Sequence, residues 1–293
     1  METPRLTAED VQLSISEVEQ VEFLDRGGQK VVFSCCIDGK PYVIKFIKIK
    51  EDMTEDSSLK EDIIARAKRE IEIMDKCSSV NLVKLGPIKM SEIQVKGEQL
   101  LYFTEEFVEG TTLDKVLNTG PLQLEQALTL ALDMTTAIEN LWGIGMIHRD
   151  IKPQNIIRHI DGHHVLLDAG IAFDLNAESL TSFGPVGTRL YMSPEQLSSP
   201  SRKLDFRSDL FLLGIVLYEA ISGEHPFYQR GMNVSELLGG IINATPQQLR
   251  NKVDSIPPNL NKIVMRLLAK QPHLRYRNIE ILKKELIKVK GEI

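Results

Sequence analysis

Asp150, Asn155 and Asp168 stand at breaks in apolar sequence within HRDIKPQNIIRHIDGHHVLLDAGIAF, residues 148–173. Asp150 follows His148-Arg149 in a polar loop after a long helical pattern. Asn155 comes shortly after it, directly before Ile156 and Ile157. Asp168 ends the apolar run Val165-Leu166-Leu167 and is followed by small residues. Taken singly, each is an ordinary loop or turn residue. A carboxylate at the end of a buried strand, however, needs a cation or a metal to offset its desolvation. Asp with Asn is an oxygen-only donor set, which suits Mg²⁺ rather than zinc.

The elements that must position these groups are legible in outline. Leu124, Leu128, Ala131, Ala137 or Ile138, and Leu141 keep near-helical spacing and predict a helix ahead of the loop. IIRHI and HHVLL flank Asp161-Gly162, which predicts a hairpin. Segments 208–222 and 259–270 read as helices, the first strongly apolar. The first hundred residues instead read mostly as strands. VVFSCCI, Asp38-Gly39 and PYVIKFIKI form two strands around a two-residue turn. Residues 51–58 are loop-like, Ser57 or Ser58 caps a helix running to about Lys76, and a further strand lies near 99–107. The change of pattern falls near Val108–Thr112, so an α+β chain is expected: a small strand-rich lobe, residues 1–108, followed by a larger helical lobe, residues 109–293.

Bulk properties agree. A chain of 293 residues is long for a single core and comfortable for two lobes. Its 42% hydrophobic and 26% charged content is that of an ordinary globular protein. The sequence holds no apolar run long enough to predict a membrane span, and METPRLTAEDVQLS lacks the apolar core of a signal peptide. Cys35, Cys36 and Cys77 cannot build a disulfide framework; they read as small core residues in a reducing, cytoplasmic compartment. A net charge of −6 without a basic block argues against nucleic-acid binding.

Joined at their spacing, HRDIKPQN and Asp168-Ala169-Gly170 resemble the catalytic loop and the Asp-Phe-Gly motif of eukaryotic-type serine/threonine protein kinases. The resemblance covers about residues 18–290. It implies a single domain with the bilobal kinase fold, a small antiparallel sheet with one main helix beside a mostly helical lobe. It also implies roles. Asp150 orients the acceptor hydroxyl and Lys152 touches the γ-phosphate. Asn155 and Asp168 hold Mg²⁺, or Mn²⁺ in its place. Ala169 replaces a phenylalanine that packs rather than reacts. The loss is ~1–3 kcal/mol of apolar burial and no ligand to phosphate or metal, with Met74 a candidate to fill the gap. A working site is expected.

On the nucleotide side, strand alternation puts Lys45 on the face of Val43, Ile47 and Ile49. A lysine there is costly without an anion, unless it snorkels from an edge. The resemblance makes Lys45 the partner of the α- and β-phosphates and Glu70 its carboxylate, with Glu72 as the alternative. LDRGGQKVVF aligns with the glycine-rich loop, but only Gly27 stands at a pattern glycine, with Asp25 and Lys30 at the other two. By itself this is a glycine turn between strands. The resemblance gives Leu24, Val32 and Val43 as an apolar roof over adenine and Ile157 as a floor. Backbone groups of Glu106 and Val108 bond the base. Glu105 then stands behind it, or Thr104 if the register slips by one.

GTRLYMSPEQL resembles the end of an activation segment. From the same resemblance, Glu195 pairs with Arg275 and Asp209 braces the catalytic-loop backbone, while Lys152 and Thr188 point to serine/threonine rather than tyrosine specificity. Ser179, Thr181 and Ser182 are candidates for a phosphorylation that Arg149 would bind. The implied activity is ATP-dependent phosphorylation of protein serine and threonine hydroxyls, with autophosphorylation of the activation segment and with regulatory input from a partner protein or loop chemistry. The diverged glycines suggest a bacterial or similarly divergent member. Two other readings stay open: a nucleotide-binding scaffold, favoured by Asp25, Lys30, Glu105 and Ala169, and a small-molecule phosphotransferase of related fold.

Overall fold

Alternation builds the first sheet. In β2 (Lys30–Ile37) the buried residues are Val31, Phe33, Cys35 and Ile37, every second position. The strand pairs with β1 (Glu19–Gly27) and with β3 (Lys40–Ile49). β5 (Glu98–Glu106) joins β3, and β4 (Ser91–Val95) closes the antiparallel order β1-β2-β3-β5-β4. Asp38 and Gly39 turn the chain between β2 and β3 with φ of 51° and 72°. Both central residues have positive φ, as a type I′ hairpin turn requires. The computed structural model describes residues 3–27, 30–49, 57–168, 189–198 and 204–293.

One face of this sheet is closed by α1 (Ala8–Ser14), a short helix the sequence pattern did not announce. Leu6, Val11 and Ile15 pack with Phe33, Ile44 and Phe46. Its start is fixed by a capping box: Asp10 N–H donates to Thr7 Oγ1 (3.2 Å), and Thr7 N–H donates to Asp10 Oδ2 (2.8 Å). The other face carries Val32, Lys45 and Phe103 in one cross-strand row and Ser34, Val43 and Glu105 in the next. Directly opposed residues share a face. Helix α2 (Ser57–Lys76) reaches this second face through Glu70. The chain divides into two compact units, residues Met1–Ser78 with Val83–Val108, and Ser79–Leu82 with Glu109–Ile293.

The second unit opens with β6 (Gly110–Thr112) and α3 (Leu113–Leu117). Helix α4 (Leu124–Gly143) follows, then the hairpin β7 (Ile156–His159) and β8 (His164–Leu166). The hairpin turns at Asp161-Gly162, where Gly162 has φ 98°, and β6 lies against β7. Asn81 belongs to this unit by its bonds: its Nδ2 donates to His164 O and its carbonyl accepts from Leu166 N, both at 2.9 Å. Beyond the hairpin come α5 (Pro194–Ser198), α6 (Phe206–Ser222), α7 (Val234–Asn243), α8 (Pro258–Leu267) and α9 (Ile279–Lys290). α6 is apolar nearly all round and buried from Leu210 to Tyr218, as a central helix must be. Asp205 caps its start, and Gly223, at φ 74°, ends it. No helix among the described residues is long and apolar enough to cross a membrane.

Candidate active site

In the second unit the loop after α4 hangs from α6. Asp209, fully buried in the first turn of α6, accepts from His148 N–H (2.8 Å) and Arg149 N–H (2.7 Å). Burial pushes its carboxyl pKa upward, against the pull of His148, Arg149 and the two N–H groups. Between these bonds and Asp150 the backbone takes a left-handed step, with Arg149 at φ 70°. Such a conformation in a non-glycine residue persists only where neighbours over-determine it. Gln196 of α5 adds to that restraint, its Nε2 donating to Arg149 O (3.0 Å).

His148 links the loop to the strand end. Its Nε2 lies 2.9 Å from Leu167 O and therefore carries the hydrogen; its Nδ1 accepts from Asp150 N–H (3.3 Å). Asp150 is gripped from two sides. Lys152 Nζ lies 3.0 and 2.7 Å from its two oxygens, and Asn155 Nδ2 donates to Asp150 Oδ2 and to Asp150 O, both at 2.9 Å. Asn155 ends a single turn, Pro153–Asn155, whose start is preset by proline. Leu167 N–H donates to Asn155 O (2.8 Å), so the residue preceding Asp168 is bonded to Asn155, and Asp168 itself takes φ 59°. Asp150, Lys152, Asn155 and Asp168 thus belong to one hydrogen-bonded loop pair. With both Asn155 amide protons committed to Asp150, Oδ1 is the donor atom this side chain has for a cation. Together with the Asp168 carboxylate it makes an oxygen-only set that fits a hard divalent ion. A carboxylate held as Asp150 is can receive the proton of a hydroxyl. Ile157 follows on β7, half-buried, opposite Thr112 and Val165.

Farther along the same unit, Arg275 meets Glu195 in a buried two-pronged ion pair, Nη1–Oε1 at 2.6 Å and Nη2–Oε2 at 2.9 Å. Ser208 Oγ donates to the same carboxylate (2.7 Å). Sequence reading did not foresee that third partner.

In the first unit, Lys45 is buried with two carboxylates. Glu105 Oε2 lies 2.6 Å from its Nζ, and Glu70 Oε1 lies 3.4 Å away. Glu72, the alternative partner, is exposed and pairs with Lys76 one turn on. The strand register puts Glu105, and not Thr104, on the face of Lys45. Thr104 opposes Ile44 and exchanges hydrogen bonds with the backbone of Ile88. Val32 and Val43 share the Lys45 face. Leu24 sits at an irregularity of β1 between Phe23 and Asp25 and is 46% exposed. Gly27 pairs with Lys30 at the strand ends, and a Cβ there would meet nothing within 4 Å among the described residues. Glu106 ends β5 with its N–H bonded to Lys84 O (2.9 Å), and Val108 follows in irregular chain. The Lys45–Glu105 contact was not legible in sequence, because it depends on how β3 and β5 register. Ser179, Thr181, Ser182 and Thr188, with Ala169 and Gly170, lie outside the described residues.

Comparison with known proteins bears on both units. Residues 18–287 match the family model described as protein kinase domain. A Clostridium perfringens (strain 13 / Type A) protein named as a probable serine/threonine-protein kinase is 30% identical over 277 residues, 94% of this chain and 38% of its own length. The serine/threonine-protein kinase PknH of Mycobacterium bovis is 32% identical over 257 residues, 86% of this chain and 40% of its own. PknB of Mycobacterium leprae is 33% identical over 201 residues, 68% of this chain and 32% of its own. The chain therefore spans two fifths or less of the length of these relatives. With a family match that runs unbroken through the five-stranded sheet, the Asp150 loop and the helices beyond it, the chain belongs to the protein kinase domain family.

Proposed function

We propose that this chain transfers the γ-phosphoryl group of ATP to serine and threonine hydroxyls of protein substrates. The observation that supports it most is the grip on Asp150, by an ammonium and a carboxamide drawn from the same short loop. In this reading the acceptor hydroxyl donates to Asp150, which takes its proton as the oxygen bonds to phosphorus and ADP leaves. Lys152, already at that carboxylate, offsets charge on the transferred group. Asn155 and Asp168 hold Mg²⁺ or Mn²⁺, which when bound neutralises phosphate charge. Lys45 serves the α- and β-phosphates with Glu70 behind it. Leu24, Gly27, Val32 and Val43, the backbone of Glu106 and Val108, and Ile157 serve the rest of the nucleotide. Asp209, Glu195 and Arg275 hold the scaffold. Residues 1–108 form the nucleotide-binding part of one kinase domain, and 109–293 the catalytic and substrate part.

Phosphorylation at Ser179, Thr181 or Ser182, read by Arg149, is part of the same proposal. So are a regulatory partner protein and a cytoplasmic setting, which suits the adjacent Cys35 and Cys36. The test is incubation with labelled ATP and Mg²⁺ or Mn²⁺, with generic protein substrates, beside Asp150→Ala. Phosphoserine or phosphothreonine made by the parent chain and not by Asp150→Ala supports the reading. ATP binding without transfer under either metal overturns it. Mass spectrometry of the purified chain tests the activation segment: full activity with all three hydroxyls unmodified rejects that part.

A further inference from the structure

Two carboxylates face one ammonium in the first unit, and the nearer of them is not the one the kinase pattern pairs with it. Lys45 Nζ lies 2.6 Å from Glu105 Oε2 and 3.4 Å from Glu70 Oε1. Sheet register fixes this arrangement. Lys45 opposes Phe103 and Val43 opposes Glu105, so Lys45 and Glu105 are diagonal neighbours on one face, within reach of two long side chains. Lys45 and Glu105 are each 3% exposed and Glu70 is fully buried. The trio holds two acidic side chains and one basic one. Glu70 Oε2 is buried and has no hydrogen-bond partner among the described residues. A buried site with surplus negative charge is a poor neighbour for another anion, because like charges in low dielectric repel strongly.

Accepting the reading of Lys45 as a phosphate-binding lysine, we infer that Glu105 competes with the nucleotide phosphates for it. Glu105 is then a positioning residue that sets nucleotide affinity. A phosphate oxygen reaching Lys45 must displace the closer carboxylate or share the ammonium with it, while Glu70 keeps its own hold. Removing the Glu105 charge takes away the nearer of the two carboxylates that face Lys45. Since Lys45 is assigned to the α- and β-phosphates and not to the reacting group, the gain is uniform binding. It lowers KM for ATP and leaves kcat nearly unchanged.

The experiment measures binding of ATP, ADP and adenosine to the intact chain by calorimetry, for the parent and for Glu105→Gln. ATP kinetics are run in parallel. The expected result is roughly tenfold tighter ATP and ADP, ~1.4 kcal/mol, with adenosine shifted less than about twofold because it brings no phosphate. Glu105→Asp, which keeps the charge on a shorter arm, should stay near the parent. Glu105→Met serves if the glutamine variant fails to fold. Unchanged or weaker ATP binding in the charge-removing variants overturns the inference. So does an equal shift for ATP and adenosine, which would mark a change of pocket shape. If the parent chain binds neither ATP nor ADP, this inference and the phosphate role of Lys45 fall together. If it binds ATP but transfers no phosphate, the proposed activity fails while the Glu105 comparison still decides this point.

Discussion

Replacing Arg275 by methionine isolates one buried polar network whose size can be counted. Arg275 has five N–H donors, and each has an acceptor. Nε donates to Ala269 O (2.8 Å). Nη1 donates to Glu195 Oε1 (2.6 Å) and Arg207 O (2.6 Å). Nη2 donates to Glu195 Oε2 (2.9 Å) and Lys270 O (3.1 Å). The guanidinium is 0% exposed and also lies 4.7 Å from the Phe211 ring centroid. Methionine fills much of the volume but leaves the Glu195 carboxylate with Ser208 as its remaining side-chain donor. It also strips a donor from three carbonyls. Breaking a buried pair on one side costs about 3–5 kcal/mol, mostly the uncompensated charge. That is roughly a 10²- to 10⁴-fold larger unfolding constant, or ~6–20 °C in Tm for a unit of this size.

Trp142 makes the assay specific. It is the sole tryptophan, it lies on α4 in the second unit, and its ring is 5.2 Å from that of Phe206 at the start of α6. Its fluorescence in urea therefore reports the unit that contains the pair. Arg275→Met with Glu195→Leu removes both charges and should recover most of the loss. Acid adds a second signature. Burial raises the Glu195 carboxyl pKa, but the Arg275 bonds and charge, with Ser208, pull harder, so its net shift is downward. A carboxylate whose folded pKa lies below its unfolded value stabilises above about pH 4.5 and loses that contribution as pH falls through the folded value. The double variant should show a flatter acid limb. A methionine variant within ~1 kcal/mol of the parent, or a double variant no better than the single, would mean that the buried Glu195–Arg275 pair does not hold this unit together.

His225 Nε2 donates to Leu190 O (3.0 Å) and its Nδ1 accepts from Phe227 N–H (3.1 Å), so the ring is committed as a neutral tautomer. Burial lowers its pKa from 6.5 to about 4, against the Leu190 bond. The unfolded chain then binds the proton first, and stability falls as pH drops from about 6.5 to about 4. His225→Gln should lessen that slope in urea titrations between pH 4 and 7, whereas an unchanged slope assigns it elsewhere. Gly110→Ala would drive a Cβ into Arg158 O and put it 2.8 Å from Ile157 Cγ2, costing roughly 1–3 kcal/mol by urea unfolding despite the exposed position; no measurable loss would mean that β6 yields freely. Asp209→Asn turns one acceptor for the 148–149 backbone into a donor. It should lower kcat roughly 10- to 100-fold, as misplacement of a catalytic group does, with ATP binding within about threefold. An unaltered kcat would detach α6 from the Asp150 loop.

Local signals carried much of the fold. The Asp38-Gly39 and Asp161-Gly162 turns sit where the dipeptides placed them, because positive φ is a property of single residues. α2 followed from the Ser57-Ser58 cap signal, α4 from its spacing, and α6 from its apolar run. What escaped were elements with weak internal periodicity. α1 has seven residues and is held by the sheet it covers, and β4 is only five residues long. At the site, residue types and order along one loop were readable, since Asp150, Lys152 and Asn155 bond to each other within a few residues. Pairings that cross between elements were not. Glu105 is the residue the sequence assigns behind the base, with Thr104 there if the register slips by one; the β3–β5 register puts Glu105 on the Lys45 face, and a slip of one residue would exchange them.

The same limit explains why aspartates that look alike in sequence have different standing. Asp209 has both oxygens engaged by backbone N–H groups, so it holds a loop and has little left to offer a substrate. Asp150 is held by a lysine ammonium and by Asn155, partners that fix its direction without removing its capacity to take a proton. Asn155 directs both amide protons inward, which leaves its oxygen for a cation. Both aspartates have their oxygens engaged, so what separates them is access: Asp209 is fully buried, whereas the Asp150 side chain is 29% exposed. That is decided by the backbone path around each residue. In this chain the path is drawn by α6 through Asp209 and by Leu167 through its bonds to Asn155 and His148, residues separated in sequence from the aspartate whose chemistry they set but bonded to its immediate neighbours.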